Sequence, residues 1–167
     1  MTSLSCSVLT ISDSRSLADD RSGDLLVGFV EAAGHRLIER ELVPDDIYQI
    51  RAISSKWIAA NEVDVIITTG GTGFTGRDST PEALTPLFDK EIEGFGETFR
   101  YLSYLEIGTS TIQSRALAGL ANGTLIFALP GSSGAVTTGW NKIIKNQLDI
   151  NNNPCNFAEL IPRFKEI

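Results

Sequence analysis

The sequence predicts an α/β domain with a mainly parallel sheet that is covered by helices on both faces. Short apolar runs alternate along the chain with segments whose apolar residues recur at helical spacing. One of these runs, at residues 63–69, is almost continuously apolar, as expected for a strand covered on both faces. The chain has 167 residues, the size of one ordinary domain, so residues 1–167 are predicted to form a single domain.

The first half of the chain is predicted to contain three strands and two helices. Strands are expected at residues 4–11, 37–43 and 63–69, and helices at residues 24–33 and 47–60. The first strand ends in a polar turn at residues 12–15. Gly34 suits the left-handed position that often follows a helix.

The second half begins with a glycine-rich segment at residues 70–76. A helix should start at Ser79 or Thr80, where Ser79 and Glu82 have the spacing of a capping box and Pro81 suits the first turn. Further along the chain, a helical region with glycine breaks is predicted at 94–121, a strand at 124–129, a helix at 135–148 and a loosely held tail to 167.

The composition excludes several classes of protein. The net charge of -7 argues against a nucleic-acid partner, which needs a basic surface. No run reaches the ~18 apolar residues of a membrane span, and Met1 and Thr2 do not begin a signal peptide. Two cysteines and one histidine are too few for a disulfide framework or a zinc site. These features predict a reduced, cytoplasmic protein.

Three motifs lie directly after predicted strands: the Asp13 turn, the Gly70 loop and the Pro130 loop. Ligands of parallel α/β sheets bind beyond the carboxyl ends of the strands, so these motifs should form one site. The turn at Pro44 and Asp45 follows a weaker strand and could join them.

The glycine loop matches two known motifs only in part. Gly71, Gly73 and Gly76 have the dinucleotide spacing, but the following residues lack the second strand and acidic residue of that unit. A Walker loop needs Lys and Ser or Thr where Arg77 and Asp78 stand. The remaining interpretation is a loop whose backbone N–H groups approach a phosphate. The alternative is a turn that binds no ligand.

Asp78 follows this loop, and two interpretations of it are open. It could cap the next helix. Alternatively, because a carboxylate repels phosphate unless a cation lies between them, it could hold Mg²⁺ carrying a nucleotide, with Asp45 or Asp13 as a second ligand.

The ordered set of motifs resembles the MoaB/Mog family of molybdenum-cofactor biosynthesis over almost the whole chain. The matching segments are residues 10–15, 20–23, 68–73, 78–82, 94–97 and 129–132. Residues 107–115 and 154–157 are similar to the MoaB branch in particular. The resemblance implies a three-layer α/β/α sandwich that assembles as a trimer or hexamer. It also implies adenylylation of molybdopterin by Mg-ATP with release of pyrophosphate, for a pathway that uses molybdenum or tungsten.

The resemblance also implies roles for particular residues. Asp78 and Asp45 match the catalytic and metal-binding aspartates, and some MoaB-branch proteins that lack the Pro-Asp turn are catalytically silent. The residues implied to bind nucleotide or substrate are Asp13, Ser14, Gly70, Gly71, Thr72, Gly73, Ser110, Ser114, Arg115, Pro130, Gly131 and Ser132. Ser110 and Ser114 are expected to share a helix face, and Arg77 or Arg115 to stabilise the developing charge. A non-catalytic pterin-binding or scaffold protein is the alternative function, and a nicotinamide oxidoreductase is a third.

Overall fold

A computed structural model describes residues 3–166, so Met1, Thr2 and the expectations that involve them or Ile167 lie outside the described residues. The strands are β1 (Ser5–Ile11), β2 (Arg36–Val43), β3 (Val65–Thr69), β4 (Lys90–Glu91), β5 (Leu117–Ala121) and β6 (Thr124–Leu129). They form one sheet in the order β2-β1-β3-β6-β5-β4. The four strands β2, β1, β3 and β6 are parallel, and β5 and β4 add an antiparallel edge. The predicted fold class is confirmed.

Helices cover both faces of this sheet. They are α1 (Arg21–Ala32), α2 (Ile47–Ala60), α3 (Thr80–Leu84), α4 (Glu93–Ile107), α5 (Ser133–Gly139), α6 (Lys145–Gln147) and α7 (Phe157–Leu160). A π-helical turn, Trp140–Ile144, joins α5 to α6, and 3₁₀ turns occupy Thr85–Leu87, Gly108–Gln113 and Ile161–Arg163. Two hydrophobic clusters, one on each face of the sheet, therefore hold three layers together.

Alternation along β3 shows how the sequence builds these two clusters. Val65 and Ile67 belong to the cluster that includes α1, α4 and α5, whereas Ile66 belongs to the cluster that includes α2 and α3. All three side chains are fully buried. Successive strand residues point to opposite faces, so a strand between two helical layers must be apolar at every position.

The predicted bounds of the second helix and of the strand at 124–129 are reproduced. The first helix begins earlier than predicted, at Arg21, because the carboxylate of Asp20 accepts a hydrogen bond from the N–H of Gly23 at 3.0 Å and caps it. Gly34 has φ +80°, as its predicted left-handed position requires. The helix predicted at 135–148 begins earlier, with α5 at Ser133, because the Ser132 hydroxyl accepts a hydrogen bond from the N–H of Ala135.

The helical prediction for residues 94–121 is wrong in its second half. After α4 and the 3₁₀ turn, the chain enters β5, which pairs with β6 in a hairpin. Asn122 and Gly123 form its tight turn with φ +48° and +81°, conformations that these two residues adopt readily. Gly119 leaves room for the Phe88 ring, because a Cβ at residue 119 would lie 2.3 Å from that ring.

The prediction of a loosely held tail is also wrong for the described residues. Phe157 in α7 and Phe164, directly after the 3₁₀ turn that follows it, pack against the larger hydrophobic cluster. The side chain of Asn156 starts this helix by accepting a hydrogen bond from the N–H of Glu159 at 2.8 Å.

Candidate functional site

A cavity of about 540 Å³ lies beyond the carboxyl ends of the parallel strands. The loops after β1, β2, β3 and β6 form most of its wall, and α4 with its 3₁₀ turn forms the rest. The predicted site residues that line it are Asp13, Ser14, Asp45, Gly70, Gly71, Thr72, Gly73, Asp78, Ser110, Ser114, Pro130, Gly131 and Ser132. Arg115 is outside the lining. The structure thus brings the motifs together as expected, while what each residue binds stays a prediction.

Two glycines of the loop after β3 sit where a side chain would collide with the aspartates. Gly71 has φ +66°, and a Cβ there would lie 2.3 Å from Thr80 Oγ1 and 2.7 Å from Asp45 Oδ2. A Cβ at Gly73 would lie 2.7 Å from Asp78 Oδ2. The loop therefore needs glycine at both positions so that its backbone can lie against the two carboxylates.

The carboxylate of Asp45 is buried beneath this loop. Its Oδ1 accepts hydrogen bonds from the Ser79 N–H at 3.0 Å and from the Ser79 hydroxyl at 2.6 Å. Its Oδ2 accepts none from residues 3–166. The predicted capping box is wrong, because Ser79 donates to Asp45 and makes no side-chain cap, while Glu82 pairs with Arg115.

Asp78 is held from within its own loop. Its Oδ2 accepts from the N–H and the hydroxyl of Thr75 at 2.8 and 2.7 Å. Partial burial acts to raise the pKa of Asp78, but the Thr75 and Gly73 donors and the charge of Arg115 outweigh it and lower the pKa. Asp78 is therefore an anion at neutral pH. The interpretation of Asp78 as the helix cap is wrong, since Ser79 occupies that position.

Asp13 is already paired with a cation. Arg77 donates from Nε to Oδ2 at 2.9 Å and from Nη2 to Oδ1 at 2.8 Å, and Oδ1 also accepts from the N–H of Asp45. The Arg77 hydrogen bonds, followed by that of Asp45, lower the pKa of Asp13 to about 2. The ion pair joins the loop after β1 to the glycine loop.

Arg115 supports the glycine loop from outside the cavity. Its Nε donates to the Gly73 carbonyl at 2.7 Å and its Nη2 to the Asp78 carbonyl at 2.9 Å. Its own N–H donates to the carbonyl of Thr72, and its guanidinium lies 5.1 Å from the centre of the Phe74 ring. Together with the ion pair to Glu82, these contacts engage all three nitrogens of the guanidinium.

The arrangement around the Gly131 carbonyl was not predicted from the sequence. This oxygen accepts from the Ser22 hydroxyl at 2.7 Å and from Arg15 Nη2 at 3.2 Å, and Arg15 lines the cavity. Arg15 is the basic residue of the polar turn after the first strand, next to residues already predicted to lie in the site. Its position in this turn was the sequence feature that could have indicated a place in the site.

Ser110 and Ser114 do not share a helix face as predicted. Ser110 lies in the 3₁₀ turn and Ser114 directly after it, because α4 ends at Ile107. Both nevertheless line the cavity.

Within residues 3–166, no group of three or more His, Cys, Asp or Glu side chains is arranged to hold a metal ion. A Mg²⁺ ion that also binds substrate phosphates needs only one or two carboxylates from the protein. Among the described helices, none combines the length and the apolar character needed to cross a membrane.

Comparison with known proteins identifies the family of this chain. The sequence profile of a family described as "Probable molybdopterin binding domain" matches residues 7–149. Molybdenum cofactor biosynthesis protein B of Escherichia coli K12 is 55% identical over 150 residues, which are 90% of this chain and 88% of that protein.

Two solved structures share the fold. A crystal structure of a molybdenum cofactor biosynthesis protein B has a TM-score of 0.85 and 45% identity, over 88% of this chain and 92% of that one. The tungsten cofactor synthesizing protein MoaB of Pyrococcus furiosus has a TM-score of 0.79 and 38% identity, over 89% and 94%.

Proposed function

The chain belongs to the family of probable molybdopterin-binding domains, and from this premise we propose that it adenylylates molybdopterin in the biosynthesis of the molybdenum cofactor. In the proposed reaction, an oxygen of the terminal phosphate of molybdopterin forms a bond to the α-phosphorus of ATP. The bond from that phosphorus to the bridging oxygen of the β-phosphate breaks, and its electron pair leaves with pyrophosphate.

One observation carries this proposal: a glycine loop and the carboxyl groups of two aspartates line the same cavity. Asp45 and Asp78 supply the oxygen ligands that Mg²⁺ prefers, and Oδ2 of the buried Asp45 accepts no hydrogen bond from residues 3–166. Asp13 is a poorer candidate for the second ligand, because both of its oxygens are bound by Arg77. When bound, Mg²⁺ would neutralise charge on the phosphates of ATP.

The remaining task of the protein is to position the phosphate of molybdopterin against the phosphates of ATP. The reaction needs no covalent nucleophile from the protein. The attacking phosphate is itself an anion. Of the two cysteines, Cys6 lies in the core, and burial raises the pKa of its thiol to about 12. Backbone N–H groups of the glycine loop can approach a phosphate because Gly71 and Gly73 carry no side chain. In this proposal Ser110 and Ser114, on the α4 side of the cavity, contact the pterin.

Release of pyrophosphate tests the proposal directly. Purified protein is incubated with molybdopterin and MgATP, and the same assay is run on Asp78→Asn. We expect steady release by the wild type and a loss of at least about 10²-fold in the variant, whose fold should survive because asparagine still accepts a hydrogen bond from Thr75. Binding of molybdopterin without turnover would favour the non-catalytic alternative. A variant with a rate close to wild type would contradict the role of Asp78.

We also propose that the chain self-associates, in a trimer or hexamer. The outer face of α4 supports this, because Tyr101, Tyr104 and Leu105 are each more than half exposed and Ile112 follows them in the 3₁₀ turn. An apolar face of this kind is typical of an interface between proteins. Sedimentation velocity of the wild-type chain measures the assembly, and a monomer at micromolar concentration would contradict it.

A further inference from the structure

The charged side chains of the cavity are divided between two sides. Asp45 and Asp78 lie with the glycine loop next to α3, whereas Arg15 lies near the start of α1 beside the loop after β6. Asp13 and Arg77, also in the lining, neutralise each other. Within residues 3–166, Arg15 and Arg77 are the cationic side chains of the lining, and Arg15 has the longer ion pair, 3.9 Å to Asp20 against 2.8 Å from Arg77 to Asp13.

The hydrogen bonds of Arg15 go to uncharged groups, and its ion pair is long. Its guanidinium donates to two neutral oxygens, the Ser22 hydroxyl at 3.3 Å and the Gly131 carbonyl at 3.2 Å. The nearest carboxylate oxygen is Oδ1 of Asp20, at 3.9 Å. Asp20 is fully buried and already accepts hydrogen bonds from Arg40 at 3.0 Å and from the Thr10 hydroxyl at 2.6 Å.

The two arginines expected from the sequence to meet a phosphate are occupied. Arg115 is outside the lining and is bound to loop carbonyls and Glu82. Arg77 donates from Nε and Nη2 to the two oxygens of Asp13, which pairs its charge. A reaction between two phosphate groups still needs a cation for the phosphate that the metal does not neutralise.

We propose that Arg15 binds phosphate oxygens of a substrate in this cavity. The side chain is 35% exposed, and its Nε donates no hydrogen bond to residues 3–166. The contacts at Nη1 and Nη2 orient the planar guanidinium, whose remaining N–H groups match a phosphate in a paired geometry. This inference rests on the proposed function, because it takes a phosphate-bearing substrate in the same cavity.

A purely structural role for Arg15 makes a different prediction. Ser22 also holds the Gly131 carbonyl, with the shorter bond of 2.7 Å. If Arg15 only positioned this loop, Ser22→Ala would weaken binding as much as Arg15→Gln does. If Arg15 acts through its charge on the ligand, Arg15→Lys should keep part of the affinity and Ser22→Ala most of it.

The test measures binding, separately from turnover. Wild type, Arg15→Gln, Arg15→Lys and Ser22→Ala are titrated by calorimetry with MgATP alone and with molybdopterin alone. Arg163→Gln, which removes a positive charge from the exposed tail, is the matched control. We expect Arg15→Gln to weaken the binding of one of the two ligands by about 10- to 100-fold. The ligand whose affinity falls is the one whose phosphate Arg15 binds.

Two results would overturn the inference while leaving the proposed function intact: equal affinity of Arg15→Gln and wild type for both ligands, or an equal loss in Ser22→Ala. If the wild type bound neither MgATP nor molybdopterin, the proposed function would fail and this inference with it. Thermal unfolding of Arg15→Gln close to that of wild type establishes that a loss of binding is not a loss of fold.

Discussion

Replacement of Asp45 by asparagine separates the charge of this carboxylate from its shape. Asparagine has almost the same outline, so its oxygen can still accept the two hydrogen bonds from Ser79. An NH₂ group takes the place of Oδ2, next to the space that Gly71 leaves open. Asp45→Asn therefore removes the free anionic oxygen and keeps the packing of the loop.

The expected effects on stability and on activity differ in size. A hydrogen bond to a charged acceptor contributes about 1.5–3 kcal/mol and one to a neutral acceptor about 0.5–1.5 kcal/mol. With two such bonds on Asp45, we expect a loss of about 1–3 kcal/mol, out of the roughly 5–15 kcal/mol typical of a domain. Removing a group that stabilises charge in the reaction costs about 10²–10³-fold in rate. The protein should stay folded and become nearly inactive.

Asp46→Asn is the matched control, one residue further along the chain. The Asp46 carboxylate accepts hydrogen bonds from the N–H groups of Tyr48 and Gln49 as the cap of α2, and it does not line the cavity. Asparagine caps a helix as well as aspartate does, so this variant should keep its stability within about 0.5 kcal/mol. Its activity should equal that of wild type.

Urea unfolding measures the stability of both variants, and pyrophosphate release with molybdopterin and MgATP measures their activity. An Asp45→Asn enzyme that turns over at the wild-type rate would refute the reasoning. Equal losses of activity in the two variants would refute it too, because the effect would then not depend on the cavity.

Two further predictions concern the loop and its ion pair. Gly73→Ala should lower activity strongly, because its Cβ would lie 2.7 Å from the carboxylate of Asp78. Gly76→Ala should have wild-type activity, because there is open space around residue 76. Similar rates for both variants would show that the loop tolerates the displacement. Arg77→Gln should raise the NMR titration midpoint of the Asp13 carboxyl from about 2 towards its ordinary value of 3.8. In the wild type the folded pKa is the lower one, so the ion pair's contribution to stability is complete above about pH 4 and is lost as the pH falls towards 2. An unchanged midpoint would mean that Arg77 does not set the pKa of Asp13.

Periodicity was enough to predict the parallel part of the fold. β3 and α2 lie where their patterns placed them, because a buried strand and an amphipathic helix each leave a repeating signature. The location of the cavity also followed from sequence, since the carboxyl ends of parallel strands share one edge.

The antiparallel edge was harder to predict. β5 contains mostly Leu and Ala, which have high helix propensity, and its strand conformation depends on pairing with β6. Asn122 and Gly123, which adopt positive φ readily, are the local signal for this hairpin.

Other errors arose from contacts between distant segments. Ser79 and Glu82 have capping-box spacing, but Asp45 and Arg115 provide stronger charged partners 34 and 33 residues away. The support that Arg115 gives to the glycine loop likewise depends on where the tertiary fold places the segment before β5. No local sequence pattern indicates such a contact.

The guanidinium of Arg115 has a consequence for the order of events during folding. It donates to the Gly73 and Asp78 carbonyls, one on each side of the glycine turn, and it belongs to the segment that enters β5. We therefore expect the turn to reach its final shape only once β5 has paired. Amide hydrogens of this turn should therefore exchange together with those of the hairpin. If the proposed function is correct, a nascent chain whose hairpin is still inside the ribosome should not bind ATP.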